Sequence, residues 1–138
     1  MYLSRETKIV SGILLLVVPT IMYGGVTLLG ILTNGGAGMA PGELSLTDKQ
    51  WSLWRAGHAH AGVWVILSLV LQILVDSTNL SKTMEWIARL GAPIAAVLVS
   101  GGFFGLTFMP GFRWMIYIGS AALILSLIIT GIGLLKNR

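Results

Sequence analysis

Arg55, His58 and His60 open a long apolar run, Arg55-Ala56-Gly57-His58-Ala59-His60-Ala61-Gly62, which continues from Val63 to Val75. The chain has no other histidine. Ionisable side chains that enter hydrocarbon cost several kcal/mol unless partnered, so where they occur they tend to mark functional sites. Two chemistries suit these residue types. A neutral imidazole is a common axial ligand of haem iron, and a guanidinium one turn away can pair with a propionate. On that reading His58 is the ligand, Arg55 and Arg113 hold the propionates, His60 is a further cofactor-binding candidate, and a b-type haem is the expected cofactor. Glycines at 57, 62, 101 and 105 would let a flat macrocycle approach the backbone. Copper is the alternative: imidazole and thioether together suit Cu(I), which makes His58, His60, Met109 and Met115 candidate metal ligands, with Met39 mapping to the same side.

The pattern Arg55-x-x-His58-x-His60 resembles the second transmembrane helix of the catalytic subunit of haem-copper oxidases and nitric oxide reductases. There an arginine three residues before a histidine accompanies the low-spin haem ligand, with a polar residue two positions later. The resemblance spans only Arg55–His60. It implies that His58 takes the haem-ligand role, with a second axial ligand from His60, Met109, Met115 or another subunit.

Long apolar elements must position these residues. The 138-residue chain is 55% hydrophobic and only 10% charged, whereas soluble domains carry about 25% charged residues. Four apolar stretches, Ile9–Thr33, Trp51–Val75, Trp86–Met109 and Trp114–Leu135, each reach the roughly 20 residues that cross a ~30 Å hydrocarbon core. Continuous apolar runs without period-2 alternation exclude a barrel. The expected fold is all-α, an integral membrane four-helix bundle in one domain over 1–138, with helices at about 9–33, 48–76, 82–109 and 112–135. Such a protein has membrane lipids as its surroundings.

Charge distribution points to topology. The net charge of +4 is spread over helix ends, so no nucleic-acid partner is expected. Arg5, Lys8, Lys82, Arg89, Lys136 and Arg138 fall on the side of the termini, against Lys49, Arg55 and Arg113 opposite. The positive-inside rule then places both termini in the cytoplasm, in a prokaryotic cell membrane. Ala37-Gly38-Met39-Ala40 resembles a signal-peptide cleavage site, but the preceding stretch is too long for a usual h-region, and a retained helix is expected. The absence of cysteine excludes disulfides, thiolate zinc, iron–sulfur ligation and covalent c-type haem.

Local signals set the boundaries. Thr47 with Gln50 reads as a capping box opening the second helix, and Ser81 caps the third. Pro19 is expected to kink the first helix, and Gly91-Ala92-Pro93 to bend the third. Asn34–Leu46 is rich in glycine and reads as a mobile loop. Met109-Pro110-Gly111-Phe112 is a tight turn that makes the last two helices an antiparallel pair. Ala88, Ala92, Ala96 and Ser100, with Gly101 and Gly105, form a small-residue seam for close packing. On the second helix His58, Val65, Leu69, Gln72 and Asp76 lie within about 40° of one line, with Arg55 about 60° away, so this stripe is expected to face the interior. His60 lies about 200° from His58, so the two cannot ligate one ion from a regular helix.

Other functions compete. Arg55 and His58 would serve equally as a structural hydrogen-bonded network in an accessory subunit of a larger membrane complex, or in a homo-oligomeric carrier or channel. His60 then contacts a neighbouring helix, the methionines pack, Trp51, Trp54, Trp86 and Trp114 anchor span ends, and Trp64 packs on a subunit or ligand. A proton relay through His58, Gln72 and Asp76 is a third reading.

Overall fold

The computed structural model describes residues 2–33 and 46–136. They form four helices, α1 (Arg5–Leu32), α2 (Asp48–Val75), α3 (Lys82–Gly105) and α4 (Arg113–Lys136), with a 3-10 turn at Pro110–Phe112. Each helical span is long and apolar enough to cross a membrane. The loop expected at 34–46, with Met39 and the cleavage-like 37–40, lies almost wholly outside the described residues, as does Arg138.

Capping chemistry sets most boundaries. Thr47 and Gln50 form the reciprocal box: Thr47 Oγ1 accepts from the Gln50 amide at 3.3 Å and Gln50 Oε1 from the Thr47 amide at 3.0 Å. Ser81 accepts from the Met84 amide and opens α3. Two boundaries depart from expectation. The first helix begins at Arg5 rather than Ile9, because Ser4 caps it by accepting from the Thr7 amide. The third ends at Gly105 rather than Met109. Pro110 disfavours helical geometry in the residue before it, and Met109 is extended at φ −144, ψ 132. Helices α1 and α3 continue through Pro19 and Pro93.

Helix α3 is central, packed along both α2 and α4, while α1 leans mainly on α2. Half of the apolar window of α3 is buried, against 6% of that of α1. Small residues make this possible: Ala88, Ala92, Ala96 and Ser100 are all buried, as the seam requires. The α3–α4 contact is closest at glycines. A Cβ on Gly102 would lie 2.5 Å from Ile116 Cγ1, and the Phe112 ring fills the space beside Gly105. Gly101 sits on a looser side, with only the Met115 methyl close by. The interior stripe of α2 is present in Val65 and Gln72, both buried.

Candidate functional site

The imidazole of His58 reaches across from α2 to α1. Its tip occupies the space where a side chain at Gly25 would project: a Cβ there would be 2.9 Å from Nε2 and 3.0 Å from Cε1. Glycine at this position is what lets the ring reach the helix backbone. The ring lines two cavities along the α1–α2 groove. The larger, about 450 Å³, lies toward the end of the bundle that carries the α3–α4 turn, where Trp54, Phe104, Leu28 and Ile31 enclose it. The smaller, about 210 Å³, runs the other way between Val18, Met22, Gly62 and Val65. His58 and Ile21 belong to both, so the imidazole stands between them. Pockets of 300–1,000 Å³ hold small ligands and cofactors.

Among the described residues nothing hydrogen-bonds to His58, although a neutral imidazole offers one donor and one acceptor. Its polar neighbours are already engaged. Thr20 donates to Val17 O, Thr27 to Tyr23 O, and Trp54 Nε1 to Thr107 Oγ1 at 3.2 Å.

The other sequence-derived candidates are elsewhere. His60 faces α3, its ring 4.9 Å from that of Phe103 and 5.6 Å from that of Trp64. Its Nδ1 lies 2.7 Å from Ala56 O, which as a carbonyl can only accept, so Nδ1 carries the proton. Arg55 is exposed rather than turned to the interior as its helical angle suggested. Arg113 is exposed and its guanidinium stacks on Trp114. Met109 is exposed, and Met115 lies between α4 and Gly101. Neither cavity at His58 is lined by His60, Arg55, Arg113, Met109 or Met115. Among the described residues no group of three or more His, Asp or Glu gathers to hold a metal ion. For a haem, the described lining supplies one axial donor and no cation for the propionates.

A second polar assembly, not anticipated from the sequence, occupies the opposite end of the bundle, where Ser4 begins α1. Arg89, one of the flanking charges that point to topology, is fully buried. One of its terminal nitrogens donates to Thr7 Oγ1 at 2.6 Å and to Gln72 O at 3.2 Å. The other donates to Asp76 Oδ1 at 2.5 Å, Glu85 Oε1 at 2.7 Å and Ser4 Oγ at 3.3 Å. Gln72 Nε2 returns a bond to Arg89 O, and the Ser4 amide donates to Asp76 Oδ2 at 2.9 Å. Lys82 adds ion pairs to Glu6 and Glu85. The signal was available: Gln72 and Asp76 close the interior stripe of α2 and need a partner, and Glu85 precedes Arg89 by one helical turn.

Asp76 lies just past the end of α2. Burial pushes its carboxyl up, but the Ser4 amide and the Arg89 guanidinium more than reverse this and hold it at about 2. A depressed carboxylate stabilises the fold fully above its ordinary value of 3.8 and loses that contribution as pH falls toward about 2. Acid titration of the protein in micelles, followed by helix content, should show a stability loss in that window. Asp76→Asn should remove this component of the acid dependence.

The fold and these sites define a four-helix protein with membrane-crossing helices, a His58 groove at one end and a buried ionic cluster at the other. Comparison with known protein families, with curated proteins and with solved structures gave no match.

Proposed function

We propose that this chain is a small multi-pass membrane protein that binds a compact, mostly apolar ligand in the cavity beside His58. The imidazole provides the ligand's polar contact, and the turn end of the bundle faces the extracytoplasmic side. The observation that carries the reading is the half-buried imidazole at a 450 Å³ apolar cavity, without a hydrogen-bond partner among the described residues. An unused donor and acceptor at the wall of such a space is how binding sites orient their ligands. Trp54 and Phe104, in edge-to-face contact at 6.0 Å, supply flat apolar walls. Gly25 holds the ring's position by giving it room. The resemblance around Arg55–His60 implies haem with His58 as its axial donor, which the described lining fits at the iron and not at the propionates, for which it offers no cation.

Protein purified from its membrane in mild detergent provides the test. Native mass spectrometry should find a small molecule bound to the wild type and to His60→Ala, and lost from His58→Ala. The absorption spectrum of the same sample, air-oxidised and dithionite-reduced, reports whether that molecule is haem. Equal small-molecule content in the wild type and His58→Ala would sink the reading.

A further inference from the structure

Resting on that reading, we infer that the His58 cavity is the head-group site of a neutral, lipid-soluble carbonyl compound with an apolar tail, a substituted quinone being the simplest example. The imidazole donates to a carbonyl oxygen, and the tail lies along the smaller cavity.

Charge is the first argument. The described lining of the larger cavity contains no Lys, Arg, Asp or Glu. A carboxylate or phosphate head would enter without a permanently charged partner, and burying an unpaired charge is strongly unfavourable. A neutral head meets no such barrier. Hydrogen-bonding capacity is the second. The protons of Thr20, Thr27 and Trp54 are committed to Val17 O, Tyr23 O and Thr107 Oγ1. The imidazole keeps an N–H to give, and Tyr23 stands at the rim with its ring largely exposed. The donors left at this site are the imidazole N–H and the Tyr23 hydroxyl, and a ligand carbonyl can accept from them.

Shape is the third. The two cavities share His58 and Ile21, and the smaller is otherwise lined by Val18, Met22, Gly62, Val65 and Ile66. A 450 Å³ compartment and a 210 Å³ apolar one on either side of the same imidazole match in size a ring and an alkyl or isoprenoid chain that passes the imidazole edge. Entry is the fourth. Thr20, Tyr23 and Gly24 line the larger cavity and are exposed on the flank of α1, between its ends. Along a membrane-crossing helix that flank meets acyl chains, so the ligand arrives from the lipid phase.

The full chain in micelles is titrated calorimetrically with three probes: a decyl-substituted benzoquinone, decylbenzene (the same tail without carbonyls) and haem. The benzoquinone should bind one per chain, with decylbenzene about tenfold weaker because it leaves the imidazole unpaired. His58→Ala should weaken the benzoquinone by about tenfold and leave decylbenzene unchanged, which also shows that the variant keeps its cavity. Gly25→Val retains the imidazole but takes the space its tip occupies, so it should lower benzoquinone affinity in the same way. Equal affinity for the two decyl probes, or a benzoquinone affinity indifferent to His58→Ala, overturns the inference. Haem binding that depends on His58, with no benzoquinone binding, overturns the inference while leaving the broader reading standing. If no probe binds in a His58-dependent manner, both fall together.

Discussion

Arg89→Ala should cost about 3–5 kcal/mol of stability in micelles, among the largest losses available from any single side chain here. The reason is what remains. Asp76 is 6% exposed and Glu85 18%; the truncation leaves Asp76 with the Ser4 amide but no cation and Glu85 with the exposed Lys82, while Thr7 and Gln72 lose a shared donor. An uncompensated buried charge is far worse than none, because the cost of removing it from water is no longer offset by a partner. Two further variants separate this from simple loss of volume. Arg89→Lys keeps the charge but not the planar fork that serves Thr7, Gln72, Asp76 and Glu85 together, so it should recover only part of the loss. Arg89→Met combined with Asp76→Asn and Glu85→Gln removes the charges as a set and should lie closer to wild type than Arg89→Ala alone. Unfolding in mixed detergent, followed by circular dichroism, measures all three. If the triple variant proves as unstable as Arg89→Ala, the cluster's contribution is not electrostatic.

The same substitution should be felt at the far end of α1. Helix α1 is the most exposed of the four, and its polar attachments are made in its first turns, through Ser4, Glu6 and Thr7. Gly25, against which His58 rests, lies roughly 27 Å further along at 1.5 Å per residue. Between them Leu14 packs with Val65 and Ala96, and among the described residues no hydrogen bond joins that stretch of α1 to another helix. An α1 released at its start would pivot on that apolar contact and widen the groove that His58 spans. Arg89→Ala is thus expected to weaken ligand binding at a site it does not touch.

How much of this could be read beforehand differs between fold and site. Span number, the Thr47–Gln50 box, the Ser81 cap and the Ala88–Ser100 seam follow from short-range rules, because helix geometry depends on residues three and four apart. The site depends on where helices lie relative to one another, which periodicity does not supply. Arg55 and Arg89 show the difference. Both are cations near the ends of apolar runs. Arg55 falls on the side of α2 assigned to the interior, yet it is exposed, while Arg89 looked like one of several flanking charges and is fully buried. Burial was decided by whether partners converged: Thr7 from α1 and Gln72 and Asp76 from α2 bond to Arg89, whereas Arg55 is exposed with no hydrogen bond or ion pair to a described residue. The opposing faces of His58 and His60 were legible, since they are set by rotation about one helix. Gly24-Gly25 could be read as a place for a neighbouring helix to approach, but not that the His58 ring is what enters at Gly25, because the relative placement of two helices leaves no trace in local spacing.

Gly91→Leu is expected to separate α3 from α4. A Cβ at Gly91 would stand 2.5 Å from Ala122 O and 2.6 Å from Ser126 Cβ. The first of these is backbone and the second is rooted directly on it, so neither can rotate aside as a side-chain tip would. Nor can α4 easily slide, because Ser126 Oγ donates to Ala88 O at 2.5 Å and fixes the register one turn away. Overpacking a tight interior costs about 1–3 kcal/mol even for small additions. Gly91→Ala should fall in that range, and Gly91→Leu beyond it. Gly12→Ala and Gly131→Ala are the matched controls: a Cβ at either meets nothing within 4 Å. There the better helix propensity of alanine, worth up to about 1 kcal/mol, should make the change neutral or stabilising. The comparison is therefore one of sign, read from unfolding midpoints of four glycine variants in the same detergent. If Gly91→Ala matches Gly12→Ala, the α3–α4 interface has slack at this level, and small residues there are not what sets the helix separation.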